Sequence, residues 1–415
     1  MTSTTDDDAV GGDGLPGGLV RGQRDYSRAV VAMLATGLAS FNALYCTQSM
    51  LPTLVDSLGI SPTTAALTVS ATTGAMAVCI VPASILSERF GRGRVLTISA
   101  VAAVLIGLLL PFAPTAEILI ALRAVQGVAI AGVPAVAMTW LAEEIHPDHL
   151  SRAMGVYIAG NSVGGLLGRL IPSGVLEIAS WRWALGADIA VAGLFAIAMV
   201  VLLPQQKQFR AKSLSFSHEF HAMTGHWKNP RLAALFITGF LSMGAFVSLY
   251  NYVGFRMIDV FGLSEGLVGA IFLLYLSGTW SSAKAGALVA RFGPGTVLVA
   301  MTVASLVGLG LVVSSSLVVM VAGILVFTAA FFAVHSTASG WIGRLATHDR
   351  AEASSVYLFC YYMGSSVVGW LSGGVLHRFG WSGLVVWLML LVAALLVLSV
   401  AMMVDRRKRK GTGRG

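Results

Sequence analysis

The chain has 415 residues, 56% hydrophobic and only 11% charged, with a net charge of +8 and a mean hydropathy of +0.81. A water-soluble globular domain carries roughly 25% charged residues, so this composition excludes a chain that gathers its apolar side chains into one core and faces water elsewhere. The basic excess invites a nucleic-acid reading, which the placement of the charges removes.

The first 28 residues are polar, with Asp6, Asp7, Asp8 and several glycines. They lack the short apolar core and small-residue cleavage site of a signal peptide and read as a disordered cytosolic tail. Apolar runs near twenty residues then recur as far as residue 404, the length that crosses a hydrocarbon layer of ~30 Å as a helix. Lipid supplies no hydrogen-bond partners, so a spanning backbone is helical or a closed barrel. Unbroken rather than alternating apolar runs select helices. The pattern predicts helices over 29–55, 62–87, 95–113, 116–142, 152–178 and 182–203, then over 232–257, 264–290, 295–314, 318–344, 352–376 and 381–404. The fold class is therefore all-α integral membrane, with twelve transmembrane helices. Cys46, Cys79 and Cys360 fall inside apolar segments, which argues against disulfides.

Of the 27 Lys and Arg, only Arg182, Arg256 and Arg378 face outward when the N-terminus is placed inside, and only Arg123, Arg169 and Lys284 lie within spans. The rest sit in the tails and inward loops, including the basic tail 405–415. The positive-inside rule puts both termini in the cytosol. The basic balance is thus a topology signal, and no nucleic-acid partner is expected.

Residues 204–231 form the only long polar interior segment, a cytosolic linker that separates a six-helix half at 29–203 from another at 232–404. The halves echo each other. ILSERFGRGRV at 85–95 returns as ALVARFGPGTV at 287–297, so that Arg89, Gly91 and Gly93 recur as Arg291, Gly293 and Gly295, each shifted by 202 residues. Leu44-Tyr45 likewise resembles Leu249-Tyr250, and Gly160 and Gly164 match Gly364 and Gly369. Parallel repeats of this kind describe transporters whose halves rock about a site near the midplane.

Ser84-Ile85-Leu86-Ser87-Glu88-Arg89-Phe90-Gly91-Arg92 resembles the loop signature G-x-L-[AS]-D-R-x-G-R of the major facilitator superfamily, with Ser84 for glycine and Glu88 for aspartate. Arg123-Ala124-Val125-Gln126-Gly127 is similar to the family's R-x-x-Q-G motif. Gly160, Gly164, Gly165 and Gly168 are similar to the antiporter motif G-x-x-x-G-P-x-x-G-G, with Gly165 for the proline and Arg169 for the final glycine. The resemblance covers all twelve helices and is strongest to the twelve-helix drug:proton antiporter branch and the YnfM-type transporters. It implies the major facilitator fold, two pseudo-symmetric halves and proton coupling.

The candidate residues also make physical sense one by one. Glu88, beside Arg89, Arg92 and Arg94, can pair with arginines or cap a neighbouring helix N-terminus, latching the halves shut on one side; Gly91, Arg291 and Gly293 complete the gating loops. Arg123 and Arg169 are ionisable groups within spans, functional candidates by default. The resemblance suggests that Arg123 tunes a proton-binding group, while Gln126 and helix carbonyls could equally satisfy it. Asp188 is the nearest partner for either arginine, and His335 could titrate near neutrality, so both are proton-coupling candidates. Lys284 reads as a snorkelling cation. Asn42, Tyr45, Gln48, Asn161, Tyr250, Asn251 and Tyr252, with Arg123, Gln126 and His335, are the expected cavity lining around a partly apolar solute, all but Asn161 on the first, fourth, seventh and tenth helices. Gly160, Gly164 and Gly168 make a small-residue packing face.

Gly160-Asn161-Ser162-Val163-Gly164 also fits the hydrolase pattern G-x-S-x-G, but that motif needs a strand-to-helix turn and here lies inside an apolar helix. Neither H-E-x-x-H nor a Walker loop is present. The chain is read as no enzyme and as needing no cofactor or metal. It is read instead as a monomeric secondary active transporter in the cytoplasmic membrane, moving a small organic solute (drug, sugar or organic anion) by alternating access. Proton-coupled efflux is the expected mode and metabolite uptake by a symporter or facilitator the alternative; the expected partners are the substrate, protons and the bilayer.

Overall fold

The computed structural model describes residues 18–209, 221 and 223–411, with side chains described up to 405. Asp6, Asp7, Asp8, residues 210–220 and 222 of the linker and the basic side chains after 405 lie outside the described residues.

Helix starts follow local chemistry. Ser61 accepts from the Thr64 N–H at 3.1 Å with Pro62 in the first helical position, and Asn229 does the same for Arg231 ahead of Pro230. Such side chains satisfy amide groups that the first turn leaves without partners. The helices are α1 (Arg24–Leu58), α2 (Pro62–Phe90), α3 (Arg92–Phe112), α4 (Ala116–Glu144), α5 (Pro147–Leu176) and α6 (Trp181–Leu202) in the first half. In the second they are α7 (Pro230–Asp259), α8 (Glu265–Phe292), α9 (Pro294–Val312) and α10 (Leu317–Leu345). The helical stretch Arg350–Gly411 is broken at Gly380, whose φ of 66° no ordinary helix contains, into α11 (350–379) and α12 (381–411). Nine of these helices and the undivided stretch Arg350–Asp405 are long and apolar enough to cross a bilayer; α5 is the exception. The 30 residues of α5 match them in length, but glycines and polar side chains dilute its hydropathy. The twelve expected helices are present, so the all-α membrane fold holds.

Two boundaries move. Helix α1 begins at Arg24, inside the segment expected as a tail, and Leu19 ahead of it exchanges hydrogen bonds with the backbone of Glu144 and His146. Helix α12 runs on to residue 411, past the expected end at 404.

The internal repeat is visible in backbone geometry. Gly91 and Gly293 both close a helix with positive φ (94° and 83°), each donating its N–H to the carbonyl four residues back, Ser87 and Val289. L side chains rarely adopt that conformation, which accounts for glycine at both positions. Packing repeats as well: α1 lies along α5 as α7 lies along α11, and the halves meet along α2–α11 and α5–α8. The glycine stripe sits in the first of these seams. A Cβ on Gly160 or Gly164 would stand 2.6 and 2.7 Å from the Leu34 and Leu38 carbonyl oxygens. Gly364 meets Phe240 in the corresponding place in the second half.

Candidate functional site

Two helices break where the halves meet. Helix α1 is α-helical to Tyr45, turns through Cys46 and Thr47, and resumes after a 3₁₀ turn at Gln48–Met50. Helix α8 contains a 3₁₀ turn at Ile271–Leu274. Such irregular turns inside spans mark hinges and binding positions. Both breaks face Arg169 of α5, the residue that stands where the antiporter motif has its final glycine.

Arg169 is 3% exposed. Its guanidinium carbon lies 4.0 Å from the ring centre of Tyr45, 4.8 Å from that of Tyr275 and 5.1 Å from that of Phe272, an aromatic box that suits a cation. Its Nε donates to Gln48 Oε1 at 2.7 Å, and Gln48 Nε2 donates to Asn251 Oδ1 of α7, also at 2.7 Å. The Arg169 carbonyl accepts from Ser49 at 2.8 Å. No described carboxylate lies within ion-pair distance of Arg169. The Tyr275 hydroxyl and Asn251 Nδ2 are buried beside it without hydrogen-bond partners. A desolvated guanidinium with unsatisfied donors around it is chemically suited to an anion or a polar aromatic group.

At the end of the bundle opposite the termini, further bonds join the halves. Thr53 of α1 donates to Glu265 of α8 at 2.6 Å, and Glu177, just past α5, accepts from the Gly266 N–H at 2.5 Å. Glu177 thereby caps the N-terminus of α8 from the other half, where a carboxylate also meets the positive end of the helix dipole. Hydrogen bonds from Ser264 and from the Gly266 amide hold its carboxyl below the usual carboxylate range.

At the end that carries the termini, ion pairs between described side chains stay within a half or its adjoining linker. Arg92 donates to Glu143 of α4 at 2.6 Å, lies 3.6 Å from Glu88 and bonds Ser87 at 3.0 Å. Gln206 bridges from Glu143 to the Gly93 N–H, and Glu144 accepts from the Lys207 and Gln208 amides. Arg231 pairs with Asp405 in the second half. Of its expected arginines, Glu88 thus stands beside Arg92 of its own half. Arg89 and Arg291 are exposed, each lying over its own neighbouring phenylalanine.

The other candidates are dispersed. Arg123 is fully buried and donates to the carbonyls of Ala43 (2.7 Å) and Leu44 (2.5 Å), to that of Thr68 (2.9 Å), to Gln126 and to Cys46. It therefore caps the carbonyls that the break in α1 leaves open, and Gln126, bonded onward to Ala103, completes that structural network. Both side chains are fully buried. Asp188 is fully buried near Arg123, with neither oxygen accepting a hydrogen bond. Asn42 and Asn161 lie in the α1–α5 seam, at Gly168 and Gly37. Tyr252 is turned to the Gly369 carbonyl in the α7–α11 seam at 2.9 Å. Tyr250 bonds Thr328 at 2.7 Å and stacks on Phe272, which places it next to the Arg169 box. His335 is half-buried, bonds the Tyr357 hydroxyl through Nδ1 at 2.9 Å and lies 4.5 Å from the Tyr361 ring. Among the described residues no three His, Cys, Asp or Glu gather as a metal would require.

Sequence reasoning missed Phe272, Tyr275, Glu177 and Glu143. The aromatics are indistinguishable in pattern from lipid-facing ones, and nothing near Glu177 in sequence announces the helix it caps.

The Major Facilitator Superfamily profile matches residues 33–284. The chain belongs to that superfamily. It is 40% identical over 383 residues to the Inner membrane transport protein YnfM of Escherichia coli (strain K12), covering 91% of each chain. To the Uncharacterized MFS-type transporter YybF of Bacillus subtilis (strain 168) it is 35% identical, covering 94% of this chain and 98% of that one. Among solved structures, a bacterial homologue of the human lysosomal transporter Spinster, inward-facing and occupied, aligns with a TM-score of 0.75 at 14% identity, covering 93% and 97% of the two chains. The nucleoside transporter NupG aligns at 0.72 with 15% identity, covering 92% and 98%. These likenesses establish a multi-pass membrane transporter of the YnfM type with the major facilitator fold.

Proposed function

We propose that this transporter works by alternating access as a proton-coupled exporter of a small neutral or anionic organic solute, with its termini in the cytosol. The observation that carries the reading is an asymmetry. Around Arg169, Glu177 and Thr53 the two halves are bonded to each other, whereas at the terminal end the ion pairs between described side chains stay inside each half or its adjoining linker. Such an arrangement is the inward-open member of an alternating pair. The opposite state would break the bonds around Glu177 and set Glu88 and its arginines across the seam. The substrate would engage the Tyr45, Gln48, Tyr250, Asn251 and Arg169 surface, and an unpaired buried cation favours an anion over a multivalent cationic drug.

Asp188 is the favoured proton carrier. A carboxylate buried with no donor is costly when ionised, and Arg123 beside it holds the broken turn of α1. A change of charge on Asp188 would therefore act on the hinge that also positions Tyr45 and Gln48. His335, half-buried and bonded to Tyr357, is the second candidate. Labelled-substrate flux in vesicles with and without a pH step tests both. Asp188→Asn should abolish gradient-driven accumulation while sparing exchange at equal pH, with His335→Gln retaining coupling. Loss in His335→Gln alone moves the role there, and retention in both removes it from both. A wild type that ignores the gradient replaces antiport with uniport or facilitated uptake.

A further inference from the structure

The second copy of the repeated turn has lost its carboxylate. Shifting Glu88 by 202 residues lands on Ala290, and shifting Arg92 lands on Pro294, while Arg291 and Phe292 are kept. The second turn therefore cannot build the Arg92–Glu88–Glu143 network of the first. Its cation faces elsewhere.

Arg291 and Lys284 line the same cavity, of about 620 Å³, formed between α8, α9 and α10. The two cations are seven residues apart, two helical turns on one face of α8, or about 10 Å along the axis. No described carboxylate lies within ion-pair distance of either. The rest of the wall is mostly apolar, with small side chains at Ala304 on α9 and Ala329 on α10, and Trp280 stands exposed at one edge. Trp280 is 66% exposed at its edge, so the groove opens on the surface of a membrane-spanning bundle, where lipid acyl chains are the expected neighbours. Lys284 lies about two turns inside the end of α8, where a bare ammonium in hydrocarbon is costly unless it reaches a counter-charge. Basic pockets between spanning helices suit phosphate headgroups for that reason.

We propose that this groove is a binding site for one anionic phospholipid from the leaflet on the side of the termini. The phosphate and its glycerol headgroup would be held between Lys284 and Arg291, with one acyl chain along Ala304 and Ala329. The degenerate copy of the turn would thus anchor the second half to the bilayer, while the first copy carries the ionic network.

Thermal unfolding of the purified full-length protein in a neutral detergent tests this, with added phosphatidylglycerol, phosphatidylcholine of the same acyl chains, or inorganic phosphate. Phosphatidylglycerol should raise the midpoint, and the other two should not. The Lys284→Gln/Arg291→Gln double variant should lose the phosphatidylglycerol shift, whereas Arg152→Gln, which removes a cation on α5, should keep it. Ala304→Leu, which fills the groove without altering charge, should also lose the shift, so the proposal stays testable if the double variant folds poorly. Equal shifts with phosphatidylglycerol and phosphatidylcholine would overturn it, as would a full phosphatidylglycerol shift in the double variant or in Ala304→Leu. A shift reproduced by inorganic phosphate alone would reduce the site to a simple anion contact and refute the lipid.

Discussion

Gly164→Leu should separate α1 from α5 and abolish transport. The Cβ alone would stand 2.7 Å from the Leu38 carbonyl oxygen and 2.8 Å from both the Gly37 oxygen and Leu38 Cα. Ordinary contact begins near 3.4 Å, so the two backbones must part by about 0.7 Å before the three further carbons of leucine are placed. Those atoms are main chain and cannot swing aside as a side-chain end could. Gly160 and Gly168 extend the same seam by a turn each way, so the gap propagates. Overpacking of this kind costs about 1–3 kcal/mol, which for a half of this size lowers the unfolding midpoint by on the order of 5 °C. Thermal unfolding and vesicle flux would be measured together, with Gly174→Leu as the control, because a Cβ at Gly174 meets nothing within 4 Å on the same helix. Ser162→Ala should be silent, since that exposed hydroxyl only bonds back to Ile158. Wild-type melting and flux in Gly164→Leu, or equal damage in Gly174→Leu, would refute the close-seam argument.

Glu177 should make the bonding between the halves pH-dependent. Its carboxyl is held low by Ser264 and the Gly266 amide, so its contribution is full above the ordinary carboxylate range and is lost as pH falls through and below that range. The distance between paired probes on the ends of the two halves opposite the termini should therefore increase in acid, and Glu177→Gln should flatten that increase; an unchanged acid response in the variant would sink the idea. Arg123→Lys should destabilise strongly despite keeping the charge, because one ammonium cannot reach the Ala43, Leu44 and Thr68 carbonyls and Gln126 together. Charged hydrogen bonds contribute about 1.5–3 kcal/mol each, and losing even one should lower the unfolding midpoint measurably; an unshifted midpoint would show that the break in α1 does not depend on this cap.

Much of this was legible in the residues. Run length determined the helices, because lipid leaves a spanning backbone no partner but itself. The 202-residue echo determined the halves, and Gly91 and Gly293 share a positive φ that L side chains rarely adopt. The stripe Gly160-Gly164-Gly168 foretold a packing face through helical spacing, but not that α1 is its partner. Hydropathy could not say which apolar face meets protein and which meets lipid, since both are apolar, so nothing in the sequence set Phe272 and Tyr275 apart from lipid-facing aromatics. Nor could it separate Arg123 from Arg169, two arginines in spans. One is consumed by carbonyls that only the break in α1 exposes, and the other is left without a counter-charge among rings drawn from both halves. Glu177 on α8 and Gln48 on Asn251 join residues 89 and 203 positions apart. Such pairings depend on how two already folded halves lean on each other, and only the tertiary structure decides that.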